Sequence, residues 1–252
     1  MKNKKNIQIL SIIGILLLLM AFFIYLSGRP SYHGIDGEKT SQTKIDALSL
    51  PQLSAKVADN EAEVEIQTTA GNIKVKLFPE LAPLAVENFL ALAKADYYKD
   101  NEFFRVIKSF MIQTGDPENL GTSSKSVVND NQAFTTEISN QLYHIRGALS
   151  LANTGQESSS SSQFFIIQNK EDMSSAIGNQ LYPEKIKEAL KNGGYPELDG
   201  SYTVFGQVIE GMEVVDKIAT AEVEANESGE ESKPVKAFSI KTVKIIKDWD
   251  FK

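Results

Sequence analysis

Few side chains in this sequence can make or break bonds, and that narrows the reactions open to it. There are no cysteines, which removes thiol nucleophiles, disulfides and cysteine-ligated zinc together. The only imidazoles are His33 and His144, so a His-rich metal site or a Ser/His/Asp triad would rest on one isolated ring, and no nucleophile elbow accompanies it. The serine run Ser158 to Ser162 reads as a flexible loop rather than a set of nucleophiles. Ala221 to Lys233 holds five glutamates; a calcium site would need alternating Asp/Asn ligands that are missing, and a solvated loop fits better. Arg105 is different. It lies in the apolar stretch Phe103 to Ile107, and a guanidinium there needs a partner or a solvent-facing groove. Such a group is always protonated and carries its donors in a fixed fork.

The elements that must carry Arg105 are short and β-prone. Ala62 to Thr68 and Ile73 to Phe78 flank Ala70-Gly71-Asn72, a turn signal, and predict a hairpin. Pro79 to Ala95 places Leu81, Leu84, Ala85, Asn88, Phe89 and Leu92 at spacings of three and four, the pattern of an amphipathic helix opened by prolines. Further short apolar runs at residues 103–107, 110–113, 148–152, 164–167, 202–209 and 238–246 are separated by Gly, Ser, Asn and Asp clusters. Many short strands with few helices predict a mainly β fold, a closed barrel or a sandwich. Pro183 to Lys191, ended by Gly193-Gly194, predicts a short helix.

The charge is unevenly spread. Of a net −7, residues 1–60 hold seven basic and four acidic side chains, leaving 19 basic against 29 acidic afterwards. So acidic a domain is a poor holder of nucleic acid phosphates. Lys2, Lys4 and Lys5 precede an uncharged run of 20 residues from Ile7 to Leu26, which as a helix would span a bilayer at about 30 Å. The basic flank predicts a cytoplasmic tail (residues 1–6), a transmembrane anchor (7–26) and everything later on the outer face. A signal peptide, cleaved or uncleaved, is the competing reading, and cleavage would leave a secreted protein. Against cleavage stand the length of the run and Leu26-Ser27-Gly28-Arg29-Pro30, which is not an Ala-x-Ala site. Residues 27–60 read as a polar spacer, although Leu48, Leu50 and Leu53 around Pro51 could pack locally.

The segment from Phe103 to Asp116, FFRVIKSFMIQTGD, resembles the signature strand pair of cyclophilins. Leu149 to Thr154 (LSLANT), Ser162 to Ile166 (SQFFI) and Leu198 to Gly206 (LDGSYTVFG) follow in the family's order. The resemblance covers residues 61–252 and implies a closed eight-stranded antiparallel barrel capped by two helices, Pro79 to Ala95 and Gly211 to Thr220. It implies peptidyl-prolyl cis-trans isomerase activity with no cofactor and no metal, on proline-containing polypeptides. Arg105 then matches the catalytic arginine. Phe110, Met111, Phe165 and Leu198 match the proline pocket, with Tyr202 where many members have a pocket histidine. Gln113, Ala152, Asn153 and Gln163 match groups that hold the substrate backbone, and Gly121 a glycine bordering the groove. Glu197 stands where several members carry a tryptophan used by cyclosporin-type inhibitors, and residues 169–198 exceed a minimal loop of the family. Combined with the anchor, these features predict an isomerase for exported or surface proteins. The reading from another class is a membrane-tethered peptide-binding or chaperone module with little isomerase activity.

Overall fold

The computed structural model describes residues 42–251. Strands β1 (Ala62–Thr68) and β2 (Asn72–Leu77) form the expected hairpin, paired from Ala62 with Leu77 to Gln67 with Asn72. Ala62, Val64 and Ile66 are fully buried while Glu63, Glu65 and Gln67 face outward, as strand alternation requires. The remaining strands of the main sheet are β3 (Arg105–Ile107), β4 (Met111–Thr114), β6 (Ala148–Leu151), β8 (Phe164–Ile167), β9 (Val204–Glu210) and β12 (Ile240–Lys247). The ladder runs β12-β1-β2-β9-β6-β8-β4-β3, antiparallel throughout.

This sheet corrects the expectation of a closed barrel. It is an open half-barrel whose edge strands, β3 and β12, share no ladder. The chain ahead of β3 meets residues 238–240, at and just before the start of β12, through a single bridge, Glu102 with Ser239, and bonds such as Asp100 N to Ile240 O at 2.8 Å and Phe103 N to Phe238 O at 2.9 Å. These contacts span only Asp100 to Phe103, ahead of β3, so the two edge strands themselves set no register. The expected transmembrane helix finds no counterpart either. No helix of the described residues is long and apolar enough to cross a membrane, and the run Ile7 to Leu26 lies outside them.

A short helix α1 (Gln42–Asp46) opens the described chain, and α2 (Pro83–Lys94) and α4 (Met212–Ala219) pack their apolar faces into the main core. α2 starts four residues later than the periodicity suggests. Pro83 pushes the preceding Ala82 to φ −146°, ψ 65°, outside the α region, so the first helical residue is the proline itself. Ala82 offers no side-chain cap. Glu137, 53 residues away, supplies one, accepting from Leu84 N at 3.0 Å and Ala85 N at 2.9 Å. Residues 169–198 hold the short α3 (Glu184–Leu190), and Ile177, Tyr182, Ile186 and Leu190 from this stretch form a separate cluster with Tyr143 and Ile145.

Three stretches differ from their sequence reading. Residues 42–60 lie along the domain: buried Gln52 donates to Tyr143 O and Gln207 Oε1, both at 2.9 Å, and accepts from Tyr143 N at 2.6 Å. The serine run contains β7 (Ser158–Ser160), paired with β5 (Phe134–Thr135). The acidic stretch folds into a hairpin, β10 (Val223–Ala225) and β11 (Glu231–Pro234), whose loop is tied by Asn226 N to Glu230 O at 2.8 Å and Glu230 N to Asn226 Oδ1 at 3.0 Å.

Candidate active site

The four strands β3, β4, β8 and β6 are adjacent, and their register sets Arg105 opposite Gln113, Gln113 opposite Phe165, and Phe165 opposite Ser150. Directly paired residues share a sheet face, so one row crosses the sheet on one side, with Met111 two residues along from Gln113. The intervening residues Val106, Ile112, Phe164, Ile166, Leu149 and Leu151 join the main core. Met111, Phe165, Ala148, Ile167, Val204 and Leu198 instead form a second buried cluster, against which Phe110, Ala152, Tyr195 and Tyr202 pack half-buried. Strand alternation therefore splits two apolar populations: one side of these strands closes the core, and the other lines a candidate groove.

Arg105 sits at the edge of that groove. Its Nε and Nη2 donate to Glu230 Oε2 and Oε1 at 2.7 and 2.9 Å, a two-point ion pair. Its Nη1 is turned the other way, 3.9 Å from Met111 Sδ and 3.5 Å from Gln113 Oε1. The guanidinium bond holds the Glu230 carboxyl below its ordinary value of 4.5, so this pair is ionised at neutral pH. Gln113 Nε2 in turn donates to Gln163 Oε1 at 3.0 Å, and Gln163 Nε2 to Ser123 O at 2.9 Å. The polar row thus continues into the rim loop, where buried Asp116 gathers four backbone N–H groups, of Glu118, Leu120, Thr122 and Ser123, at 2.8–3.2 Å. Gly121 is in this loop at φ +78°, exposed, with Phe104 Cε2 3.0 Å from where a Cβ would lie.

The opposite rim carries the other candidates. Ala152 N donates to Gln163 O at 2.9 Å, and Asn153 Nδ2 to Ser201 O at 2.9 Å, so Asn153 braces the segment bearing Tyr202. Tyr202 stands edge-on to Phe165 at 5.7 Å between centroids. Next to Leu198, Asp199 Oδ1 accepts from His144 N at 2.8 Å and lies 2.6 Å from His144 Nδ1, while Oδ2 accepts from Tyr182 Oη at 2.7 Å. His144 Nε2 meets Ser150 Oγ at 2.9 Å. The trio has the composition of a hydrolytic triad, but Ser150 is fully buried and donates to Thr203 O at 2.9 Å. It is a brace behind Phe165, whose ring lies nearly parallel to His144 at 6.2 Å.

The structure thus brings Arg105, Gln113 and Gln163 into one hydrogen-bonded chain beside the apolar group of Phe110, Met111, Phe165, Leu198 and Tyr202. Ala152 and Asn153 form the far rim, and Gly121 contributes only loop geometry. Two residues escaped the sequence reading. Tyr195 packs on Phe110 at 4.4 Å, with no spacing signal to mark it. Glu230 lies 125 residues from Arg105; the one hint was that an arginine in an apolar strand demands a partner. Among the described residues no group of three or more His, Asp or Glu is placed to hold a metal ion.

The sequence profile of the family described as cyclophilin type peptidyl-prolyl cis-trans isomerase/CLD matches residues 63–245. A Staphylococcus haemolyticus protein assigned as a peptidyl-prolyl cis-trans isomerase is 42% identical over 200 residues, covering 77% of this chain and 96% of its own length. A Staphylococcus aureus protein of the same assignment is 39% identical over 199 residues, covering 77% and 97%. The crystal structure of a Cryptosporidium parvum cyclophilin type peptidyl-prolyl cis-trans isomerase superposes with a TM-score of 0.59 at 31% identity, over 75% of this chain and 99% of that one. Its crystal structure in the presence of the dipeptide Ala-Pro gives 0.58 at 31% identity, over 74% and 99%.

Proposed function

The chain belongs to the cyclophilin-type peptidyl-prolyl cis-trans isomerase family and is an isomerase of that type, and on that premise we propose that Arg105 stabilises the twisted X-Pro amide. Rotation about a peptide bond costs about 18–20 kcal/mol because resonance is lost. No bond is made or broken, so the enzyme needs only to bind the twisted state better than either planar one. In that state the prolyl nitrogen regains a lone pair. Arg105 Nη1 donates a hydrogen bond to it, and because the guanidinium keeps its proton at every working pH, no general base takes part.

Phe110, Met111, Phe165 and Leu198 take the pyrrolidine ring, and Gln113, Gln163 and Asn153 hold the flanking peptide while one side of the bond turns. The substrates are proline-containing polypeptides, in keeping with the Ala-Pro dipeptide used with the Cryptosporidium parvum relative. One observation carries this reading: Nη1 lies between Met111 Sδ and Gln113 Oε1 at the edge of the apolar cluster, while the other edge of the guanidinium is occupied. We further propose that the domain sits on the outer, extracytoplasmic face of the cell membrane, attached through Ile7 to Leu26, where slow prolyl steps can limit the folding of exported proteins. Two charges inserted in that run should move the protein out of the membrane fraction, and retention there would overturn the location.

The mechanism is tested by a protease-coupled proline isomerisation assay on the full chain, wild type against Arg105→Ala, matched for folding by circular dichroism. The expected loss in kcat/KM is about 10²–10³-fold, the scale of removing one transition-state donor. A folded variant within about two-fold of wild type, on a scale where one donor is worth far more, would falsify the role of Arg105.

A further inference from the structure

The pairing of Glu230 with Arg105 belongs to no part of the peptide-binding machinery just described. Glu230 comes from the acidic hairpin β10–β11, which lies against β3. Its position is built in: Asn226 Oδ1 accepts from Ser228 N and Glu230 N, both at 3.0 Å, and Asn226 Nδ2 donates to Ser232 Oγ at 3.2 Å, with Ser232 fully buried. The loop bearing the carboxylate is therefore a fixed turn.

A guanidinium has five donors in one plane. Glu230 takes the Nε–Nη2 edge with both oxygens, the two-point geometry that fixes orientation as well as charge. Once that edge is held, the plane cannot swing about the side-chain torsions, and Nη1 has one direction left, toward Met111 and Gln113. Arg105 is about 30% exposed; a long side chain at such a site would otherwise sample several rotamers.

We propose that Glu230 is a positioning residue, which clamps the outer edge of Arg105 and thereby aims Nη1 at the prolyl nitrogen of the substrate. The inference rests on the role proposed for Arg105. A donor already aimed at the twisted amide needs no reorganisation as the lone pair develops, so loss of the clamp acts on turnover more than on substrate binding. The β10–β11 hairpin becomes a functional part of the site.

The test is a double-mutant cycle in the full chain, reading kcat and KM on an X-Pro peptide at saturating and limiting concentrations. Glu230→Ala should lower kcat about ten-fold with KM within about two-fold of wild type, since orientation is lost and the pocket is not. Glu230→Gln, which keeps the shape and one acceptor, should recover part of the loss. In the Arg105→Ala background, Glu230→Ala should cost nothing further, because its effect runs through the guanidinium. Unchanged or raised kcat in folded Glu230→Ala, or an equal loss with and without Arg105, overturns the clamp. Should Arg105→Ala alone leave the rate intact, the failure lies with the proposed mechanism and not with the clamp.

Discussion

Asp199→Ala should be one of the most damaging polar substitutions in the molecule, because a single carboxylate serves three donors. Two come from His144, which is 1% exposed, and one from Tyr182, which is 3% exposed. Burial and the neighbouring Asp199 charge push the Tyr182 phenol far above its ordinary range, so it remains a donor at any working pH. A hydrogen bond to a charged acceptor contributes about 1.5–3 kcal/mol net, and three independent ones would sum to roughly 5–9. Two features reduce that figure. The Asp199 side chain is 14% exposed, so water enters the vacated space, and Tyr182 Oη keeps a longer contact, 3.4 Å, to Pro196 O. The expected cost is about 3–5 kcal/mol, a large part of the 5–15 that holds a typical domain. In urea unfolding this should appear as a midpoint about 2 M lower at an unchanged slope of roughly 2 kcal/mol/M. Because Leu198 adjoins Asp199 and His144 backs Phe165, the protein that remains folded should also show a raised KM. Asp172→Ala is the control, an exposed carboxylate bonded only to Ser174 two residues on. A loss for Asp199→Ala under about 1 kcal/mol, no larger than the control, would refute the accounting of buried donors.

Gly115→Ala should destabilise by roughly 2–4 kcal/mol and abolish activity, since at φ +93° its Cβ would fall 2.4 Å from Ser162 O and 2.9 Å from Gln163 Cα; thermal melts and the isomerase assay report both. Glu61→Gln should cost about 3–5 kcal/mol by stranding the buried Lys76 ammonium, which lies 3.1 Å from Glu61 Oε1. The double replacement Lys76→Met with Glu61→Leu should recover most of that loss in urea titrations, whereas a cost equal to the sum of the single changes would contradict it. Burial pulls the Asp216 carboxyl up, but bonds from Arg146 and Gln168 outweigh it and hold it below its ordinary 3.8. A depressed carboxylate contributes stability that is fully present above its unfolded value and lost as pH falls through the folded one. Asp216→Asn should accordingly flatten the decline in stability below about pH 3.8, and an unchanged acid slope would show the pair to be idle.

What the amino-acid order determined by itself was local or motif-borne. Alternation in Ala62 to Thr68 specified an inward face of Ala62, Val64 and Ile66, because only one register buries all three. Three-and-four spacing specified α2, and the four motif blocks pointed to the family and to Arg105. Pro83 delayed the helix start by a backbone clash that is itself readable in sequence once the residue before proline is considered.

The tertiary structure alone decided everything that joins distant segments. Whether the sheet closes depended on how β3 and β12 meet, and the pairing is confined to residues 100–103 ahead of β3, with no ladder between the two edge strands. Glu137 caps a helix 53 residues upstream, Glu230 reaches Arg105 across 125 residues, and Asp199 meets His144 across 55. None of these pairings has a spacing signature. Periodicity reports which face of an element is buried, whereas a carboxylate's partner is set by the packing of whole elements and by the demand that every buried donor find an acceptor. Hence five glutamates that read as a solvated loop could hold the side chain that pairs with Arg105.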